Sequence, residues 1–342
     1  MKKFILFISI IFVSARITAQ DIHFTQYYLT PVYFNPGYSG ALKDLDISMQ
    51  YKGQWNLIEN GFRTFGASIS KRIGYKRGDR NFWASGMNAF NDLATSNLAS
   101  LRINIPISYT VSFDNNNTLT NGLYVGFGQN KIKDLNFSWG NQYDGLSYDS
   151  NLPTYEPNYG MSFSFIDFGY GASWNYNQES RTVADISGFK NTVGLSVSHL
   201  SRPKYYFNAD ESERLDMKFI VFESAHISMK NSKISFLPSF LLQMQGGHRE
   251  FLLSGLCRYE LTPESRYTGY FEGSAISAGI SLRAKDAISF QTMLELGNYV
   301  LGLSYDLNIS DLNYSTNYRG GMEICLKFVN PSPFRKIAKA SF

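Results

Sequence analysis

LRINIPISYTVSF, residues 101–113, sets Leu101, Ile103, Ile105, Ile107, Tyr109, Val111 and Phe113 at odd positions against Arg102, Asn104, Pro106, Ser108, Thr110 and Ser112 at even ones. A period of two held over this length describes an extended strand with one apolar and one polar face. The rhythm returns in Phe168–Tyr176, where Phe168, Tyr170, Ala172, Trp174 and Tyr176 alternate with Gly169, Gly171, Ser173 and Asn175. In Tyr299–Leu307, Tyr299, Leu301, Leu303, Tyr305 and Leu307 alternate with Val300, Gly302, Ser304 and Asp306. The last run sets Met322, Ile324, Leu326 and Phe328 against Glu323, Cys325 and Lys327. Such runs are long enough for a tilted crossing of a bilayer, for which about 9–11 residues suffice. A soluble sandwich uses strands nearer about 5–6 residues.

Similar runs lie near 45–54, 62–73, 82–91, 97–112, 121–132, 167–177, 190–200, 217–229, 233–243, 250–261, 271–283, 286–296, 298–308 and 320–328. The expected fold class is therefore all-β: a transmembrane antiparallel outer-membrane β-barrel of about 14 strands. An even count sets both termini on the periplasmic side. The connections after odd-numbered strands then face outward, and these include Lys133–Ile166, Ser201–Asp216 and Ile309–Arg319. Turns such as Lys230-Asn231-Ser232 and Gly297-Asn298 face the periplasm. Gly126, Gly128, Gly169, Gly171, Gly194 and Gly279 fall on or near lumen-facing positions. There they either let the sheet bend or leave room for a plug or for neighbouring side chains.

Composition agrees. The 342 residues include 23 Tyr and 27 Phe, only 18% are charged, and no apolar segment reaches the length of a membrane helix. Met1–Gln20 has a basic start at Lys2 and Lys3, an apolar run Phe4–Val13, and Ala19 at a plausible cleavage point, so 1–19 reads as a signal peptide. Removing Lys2, Lys3 and Arg16 lowers the formal charge from +4 to +1. A nearly neutral chain is not built to grip nucleic acid. His23, His199, His226 and His248 are scattered without metal-ligand spacing, and no HExxH, CxxC, GxSxG or P-loop occurs. Asp210, Glu211 and Glu213 cluster in an expected loop and read as solvated. Cys257 and Cys325 fall on non-adjacent strands and read as separate thiols. No enzyme activity, metal or cofactor is expected.

Between leader and barrel lies His23–Leu42, HFTQYYLTPVYFNPGYSGAL. Phe24, Tyr27, Tyr28, Tyr33 and Phe34 stand on a backbone broken by Pro31 and Pro36, with turn chemistry at Asn35, Gly37 and Gly40. Such a segment must dock on something, either as a plug of its own barrel or as a strap for a partner. Its pattern F-T-Q-Y-x-x-x-P-x-Y-x-N-P-G-Y-S-G resembles the opening signature of the PorP/SprF family of the Bacteroidetes type IX secretion system. Phe24, Gln26, Tyr27, Pro31, Asn35, Pro36, Tyr38 and Gly40 fall on the pattern, while Gly37 and Ser39 stand where many members have alanines. Two later segments, GLSYDLNISDL (302–312) and GGMEICLKF (320–328), are similar to the closing strands of the family.

The resulting division is 1–19 signal peptide, 20–44 periplasmic strap or plug, 45–328 barrel and 329–342 periplasmic tail. The tail carries Arg335, Lys336 and Lys339 and either meets a periplasmic partner or lipid headgroups, or simply ends the chain. The longest loop mixes Trp139, Tyr143, Asp144, Tyr148 and Tyr155 with Phe137, Tyr159, Asp134, Asp149 and Glu156. This composition suits protein binding, and a lid over the lumen is the alternative. The resemblance implies a component that anchors the secretion complex, or one that captures a cognate secreted surface protein such as a gliding adhesin with the second class of C-terminal sorting domain. Its expected partners are therefore type IX secretion components, that surface protein and outer-membrane lipid. A diffusion barrel for hydrophobic or small solutes, and a purely structural or adhesive barrel, are the competing readings.

Overall fold

A computed structural model describes residues 23–54, 61–74, 80–94, 98–132, 139–143, 145–153, 155, 162–179, 188–205, 214–262, 273–310 and 316–330. The leader, Asp144 and the tail beyond 330 lie outside them, as do Asp134, Phe137, Glu156, Tyr159 and 206–213. Fourteen strands form one closed barrel. They are β1 (Leu45–Gln54), β2 (Phe62–Ile73), β3 (Phe82–Ala94), β4 (Leu98–Ser112) and β5 (Asn117–Ile132). Next come β6 (Ser162–Glu179), β7 (Gly188–Ser198), β8 (Lys218–Ser228), β9 (Ile234–Gln245) and β10 (His248–Thr262). The last are β11 (Ser274–Arg283), β12 (Ala287–Leu296), β13 (Tyr299–Asn308) and β14 (Arg319–Asn330). Each pairs antiparallel with its chain neighbours. The seam closes between β1 and β14, from Leu45 opposite Asn330 to Gln54 opposite Gly321. Closure leaves no open edge, which hydrocarbon would not tolerate.

The alternation reads out directly as inside and outside. On β13 Tyr299, Leu301, Leu303 and Tyr305 are exposed, while Val300, Gly302, Ser304 and Asp306 are buried. Elsewhere Ile105, Ile107, Leu123, Phe168 and Leu326 face out, and Ser108, Thr110, Arg283, Gln291 and Glu323 face in. A soluble fold has the opposite arrangement. Outward aromatics pair near the end where β1 begins, with Trp83 on Tyr109 (ring centroids 4.8 Å apart) and Tyr299 on Phe328 (5.2 Å). Such rings sit well at a bilayer interface. Cys257 faces out and Cys325 is buried in the lumen, and both are free.

Several bounds differ from the expectation. β6 begins at Ser162, so the longest connection is 133–161. In this first part Phe165 turns into the lumen, the opposite phase to Ile166 and Phe168 on the lipid face. The apolar–polar contrast that marks a strand is lost there. β5 starts earlier, at Asn117, through polar residues paired with Trp174, Asn175 and Tyr176 of β6. β3 runs on to Ala94 and β14 to Asn330, past the expected ends near 91 and 328. The contrast of long outer and short inner connections is also incomplete. Residues 246–247 and 284–286 make tight turns at the long-loop end, while 263–273 span the gap between β10 and β11 at the other.

Leu303, fifth of ten residues in β13, is on the lipid face near mid-strand. Leu303→Arg is expected to cost about 2–4 kcal/mol in a denaturant titration of the barrel folded into lipid vesicles. An unchanged midpoint would mean that this face does not meet hydrocarbon.

Candidate functional site: a strap threaded through the lumen

Residues 23–41 occupy the barrel interior. Pro31 and Pro36 open two of three short 3-10 turns (Tyr27–Leu29, Pro31–Tyr33, Pro36–Tyr38), the conformation their fixed φ favours. Asn35 precedes the last turn, and its Oδ1 accepts from the Gly37 amide at 2.8 Å. A backbone of this kind has no ladder to satisfy its carbonyls, and inside a barrel each needs another partner. The turns satisfy some from the strap's own amides, and lumen-facing side chains serve others. Lys52 donates to the carbonyl of His23 (3.0 Å), Lys327 to Leu29 (2.8 Å), Ser196 to Phe34 (2.5 Å) and Ser173 to Gly37 (2.7 Å). Ser108 donates to Ser39 (2.7 Å) and Arg72 Nε to Gly40 (2.7 Å).

The strap begins at a cluster of buried charges. The Glu323 carboxylate accepts from the amides of Thr25 (2.7 Å) and Gln26 (3.1 Å) and pairs with Lys52 at 3.0 Å. Glu323 and Lys52 are 0% and 1% exposed, so neither charge has water to fall back on. The Thr25 hydroxyl donates to Asp306 and accepts from Arg283, which itself pairs with Asp306 at 3.2 Å. His23 faces Glu250, with 3.6 Å between Nδ1 and Oε2.

The strap's direction follows from its contacts. His23 and Thr25 lie near Glu250, Arg283 and Asp306, at the long-loop end of β10, β11 and β13. Gly40 lies beside Arg72 and Ala84, at the opposite end, where β1 begins. The described chain therefore starts at one mouth and descends the lumen before β1 climbs back. An even strand count sets only the start of β1 and the end of β14 on one side. It does not place the strap, and His23 and Asn330 sit at opposite ends.

The motif residues all lie inside this packing. Phe24, Tyr27, Phe34 and Tyr38 form one buried cluster with Phe222 of β8, Leu241 of β9 and Leu252 of β10. Asn35 Nδ2 donates to the carbonyls of Ala172 (2.9 Å) and Leu195 (3.2 Å). Pro36 passes so close to β5 that a methyl group at Gly122 would meet its backbone, and Gly171 is filled in the same way by Asn35. Gly302 makes room for Gln26 and Leu29. Plug space accounts for these glycines, and for Gly194 in part, since Phe222 as well as Asn35 crowds it. Gly126 and Gly169 instead make room for Asn104 and Tyr124 of the wall, and Gly279 for the backbone at Gly255. Gly40 adopts φ +66°, which its lack of a side chain permits. Gln291 of β12 accepts from the Tyr28 hydroxyl at 2.7 Å, and Tyr33 packs over Gly66 of β2. With Asn88 of β3 facing Val32, the strap reaches every strand of the wall.

Three sequence segments thus meet: the strap, Gly302–Asp306 and the stretch around Glu323. The family profile described as type IX secretion system membrane protein PorP/SprF matches residues 17–328. The chain belongs to this family. It is an outer-membrane β-barrel of the type IX secretion system. No curated protein sequence matches it. Among solved structures it is similar to the toluene transporter TbuX of Ralstonia pickettii, with 10% identity and a TM-score of 0.47, covering 87% of this chain and 92% of that one. It is also similar to CymD, a monoaromatic hydrocarbon channel (10%, 0.45, covering 91% and 93%), and to BamA of Haemophilus ducreyi (10%, 0.40, covering 84% and 70%).

In this PorP/SprF barrel the second group of candidates stands apart from the strap, on the β5–β6 connection. Gly140–Gln142 forms a short turn and Tyr143 bridges Tyr148. The buried Gln142 donates from Nε2 to the Leu152 carbonyl at 2.9 Å. Tyr143, Tyr148 and Tyr155 are exposed around this knot, with Leu146 fully out at 90%, while Trp139 is half-buried. Sequence reasoning missed the charges that seat the strap: Lys52, Glu250, Arg283, Asp306 and Glu323. Their signal was present, because a charge at a lumen-facing position of a spanning strand calls for a partner.

Glu323→Ala removes the acceptor of two strap amides and leaves Lys52 buried without its counter-charge. The expected loss is about 3–5 kcal/mol of barrel stability, with faster hydrogen exchange at Thr25 and Gln26. Unchanged exchange there would place the anchor elsewhere.

Proposed function

We propose that this barrel acts as a SprF-like accessory that captures or anchors a cognate secreted surface protein, or the periplasmic secretion complex, and not as a conduit or an enzyme. The observation that supports this reading is the occupied lumen: residues 23–41 meet the inner face of all fourteen strands. A wall committed to its own strap suits a rigid platform. The exposed Tyr143, Leu146, Tyr148 and Tyr155 give that platform a surface of the composition that partners favour. In this reading the long-loop end faces the cell exterior and the start of β1 faces the periplasm.

Mild-detergent purification of the tagged protein from its own outer membrane is expected to recover a large secreted protein or periplasmic secretion components at near-stoichiometric yield. Replacing Tyr143, Tyr148 and Tyr155 together by Ala should lower that recovery about tenfold or more while the barrel still folds. A lone barrel would sink the platform reading.

In planar bilayers the native protein is expected to be silent. Gly122→Val, whose side chain would collide with Pro36, should admit ion flow as the strap leaves the β5–β6 wall. Steady conductance from the native barrel would favour solute transport instead.

A further inference from the structure

The lipid-facing wall carries one charge far from any strand end. On β8, Phe222 and Ser224 turn inward to Tyr27 and Tyr38 of the strap. Phe219, Val221, Glu223, Ala225 and Ile227 therefore face outward. Glu223 is the sixth of eleven residues in its strand and stands opposite Val193 of β7 and Phe240 of β9. The other outward charges among the described strand residues are Arg63, Lys71, Lys131, Arg249 and Arg319, each within three residues of a strand end. Side chains so placed can reach headgroups or water. Glu223 has about 16 Å of strand on either side. Its short side chain cannot cover that distance.

What surrounds Glu223 supplies acceptors and no cation. Its Oε1 accepts from Asn191 Nδ2 of β7 at 3.1 Å, and among the described residues it has no other hydrogen bond and no ion pair. Asn191 Oδ1 is buried and meets no donor. Two outward amides on the neighbouring strand are treated differently. Asn121 accepts from the Tyr170 hydroxyl at 2.6 Å, and Asn117 from the Trp174 indole at 3.1 Å. Ala225, opposite Asn191, keeps the surface beside the carboxylate low. A charge in hydrocarbon is expensive, and where one persists it marks a functional contact. Glu223 and Asn191 together offer unmatched acceptors on a face otherwise built of Val193, Leu195, Val221 and Phe240.

We infer that the outward β7–β8 face around Glu223 is a lateral docking surface for a membrane-spanning segment of another protein, one that brings a Lys or Arg to this carboxylate. Charge selects the occupant. A second copy related by a two-fold axis would present the same patch and set acceptor against acceptor. A lipid amine stays at the level of the headgroups, whereas Glu223 stands at mid-strand. A basic side chain within the bilayer is as costly alone as the carboxylate is, so the two relieve each other on contact. The inference rests on the outer wall and does not depend on the platform reading above.

The test is photo-crosslinking of the full-length barrel in intact cells, with p-benzoylphenylalanine placed at Val193 or Phe240, and at Leu303 on the far wall as control. The two sites beside Glu223 are expected to give an adduct with a different integral membrane protein, and Leu303 none. Mass spectrometry should map the adduct to a spanning segment that contains Lys or Arg. Glu223→Gln should lower its yield about tenfold or more, as loss of one member of a buried charge pair does, while Glu223→Asp retains it. In lipid vesicles without the partner, Glu223→Leu should unfold at a higher denaturant concentration than the native barrel, because it removes a charge from hydrocarbon. No adduct, adducts with lipid alone or with a second copy, or a partner segment lacking Lys and Arg would each overturn the inference. So would an adduct indifferent to Glu223→Gln, or an equal or lower midpoint for Glu223→Leu. Should Glu223→Gln not fold, the mapped partner segment on the native background decides the matter by itself.

Discussion

One carboxylate ties the molecule together. Glu323 receives two amides from the start of the strap and a lysine from β1, while itself belonging to β14. Those two strands are the seam. The bond that seats the strap is therefore also a bond across the closure of the barrel, and Lys327 repeats the arrangement lower down by meeting Asp46 of β1 and the Leu29 carbonyl. Seam and strap cannot be loosened separately. A pair buried this deeply does not add much stability over an apolar pair of similar size, but it makes any other arrangement expensive. Its effect is to fix one register and one strap position.

The polarity of the lumen follows from the same need. Every second residue of a membrane barrel faces inward, and in an open pore those residues serve water. Here Ser108, Ser173, Ser196, Arg72 and Lys327 serve peptide carbonyls of the strap. The strap in turn needs them because Pro31 and Pro36 prevent it from making a regular element of its own. Its aromatics then fill what the polar contacts leave, with Phe24 and Tyr27 at 2% exposure. A proline-broken segment and a serine-rich wall satisfy each other.

This explains what the sequence could reveal. Alternation at Leu101–Phe113 and Tyr299–Leu307 exposed the barrel because lipid imposes one strict rule on each outward position. The beginning of β6 is hidden because Phe165 points inward there, against Arg102, Gly128 and Tyr205, and the rule no longer separates the faces. Asn35, Pro36 and Gly37 announced a tight turn through local chemistry alone. Whether that turn docked inside or outside depended on contacts more than a hundred residues away, such as Asn35 to Ala172. No local pattern encodes a contact of that range. Arg102 is legible only as a polar-face residue, because its contacts with Asn130 and the Phe165 ring are set by the folded wall.

The two walls of the lumen differ at the long-loop end. On the side of β10–β14 and β1, acids and bases are interleaved and closed over by Thr25. On the side of β4–β8, Arg102 lies over the Phe165 ring and Asp167 is held by Tyr124 and His199. The strap helps to build both, because Thr25 joins the charged cluster of one wall while Phe24 and Tyr33 line the other. An element that might be read as mere filling therefore sets the chemistry of the space it leaves.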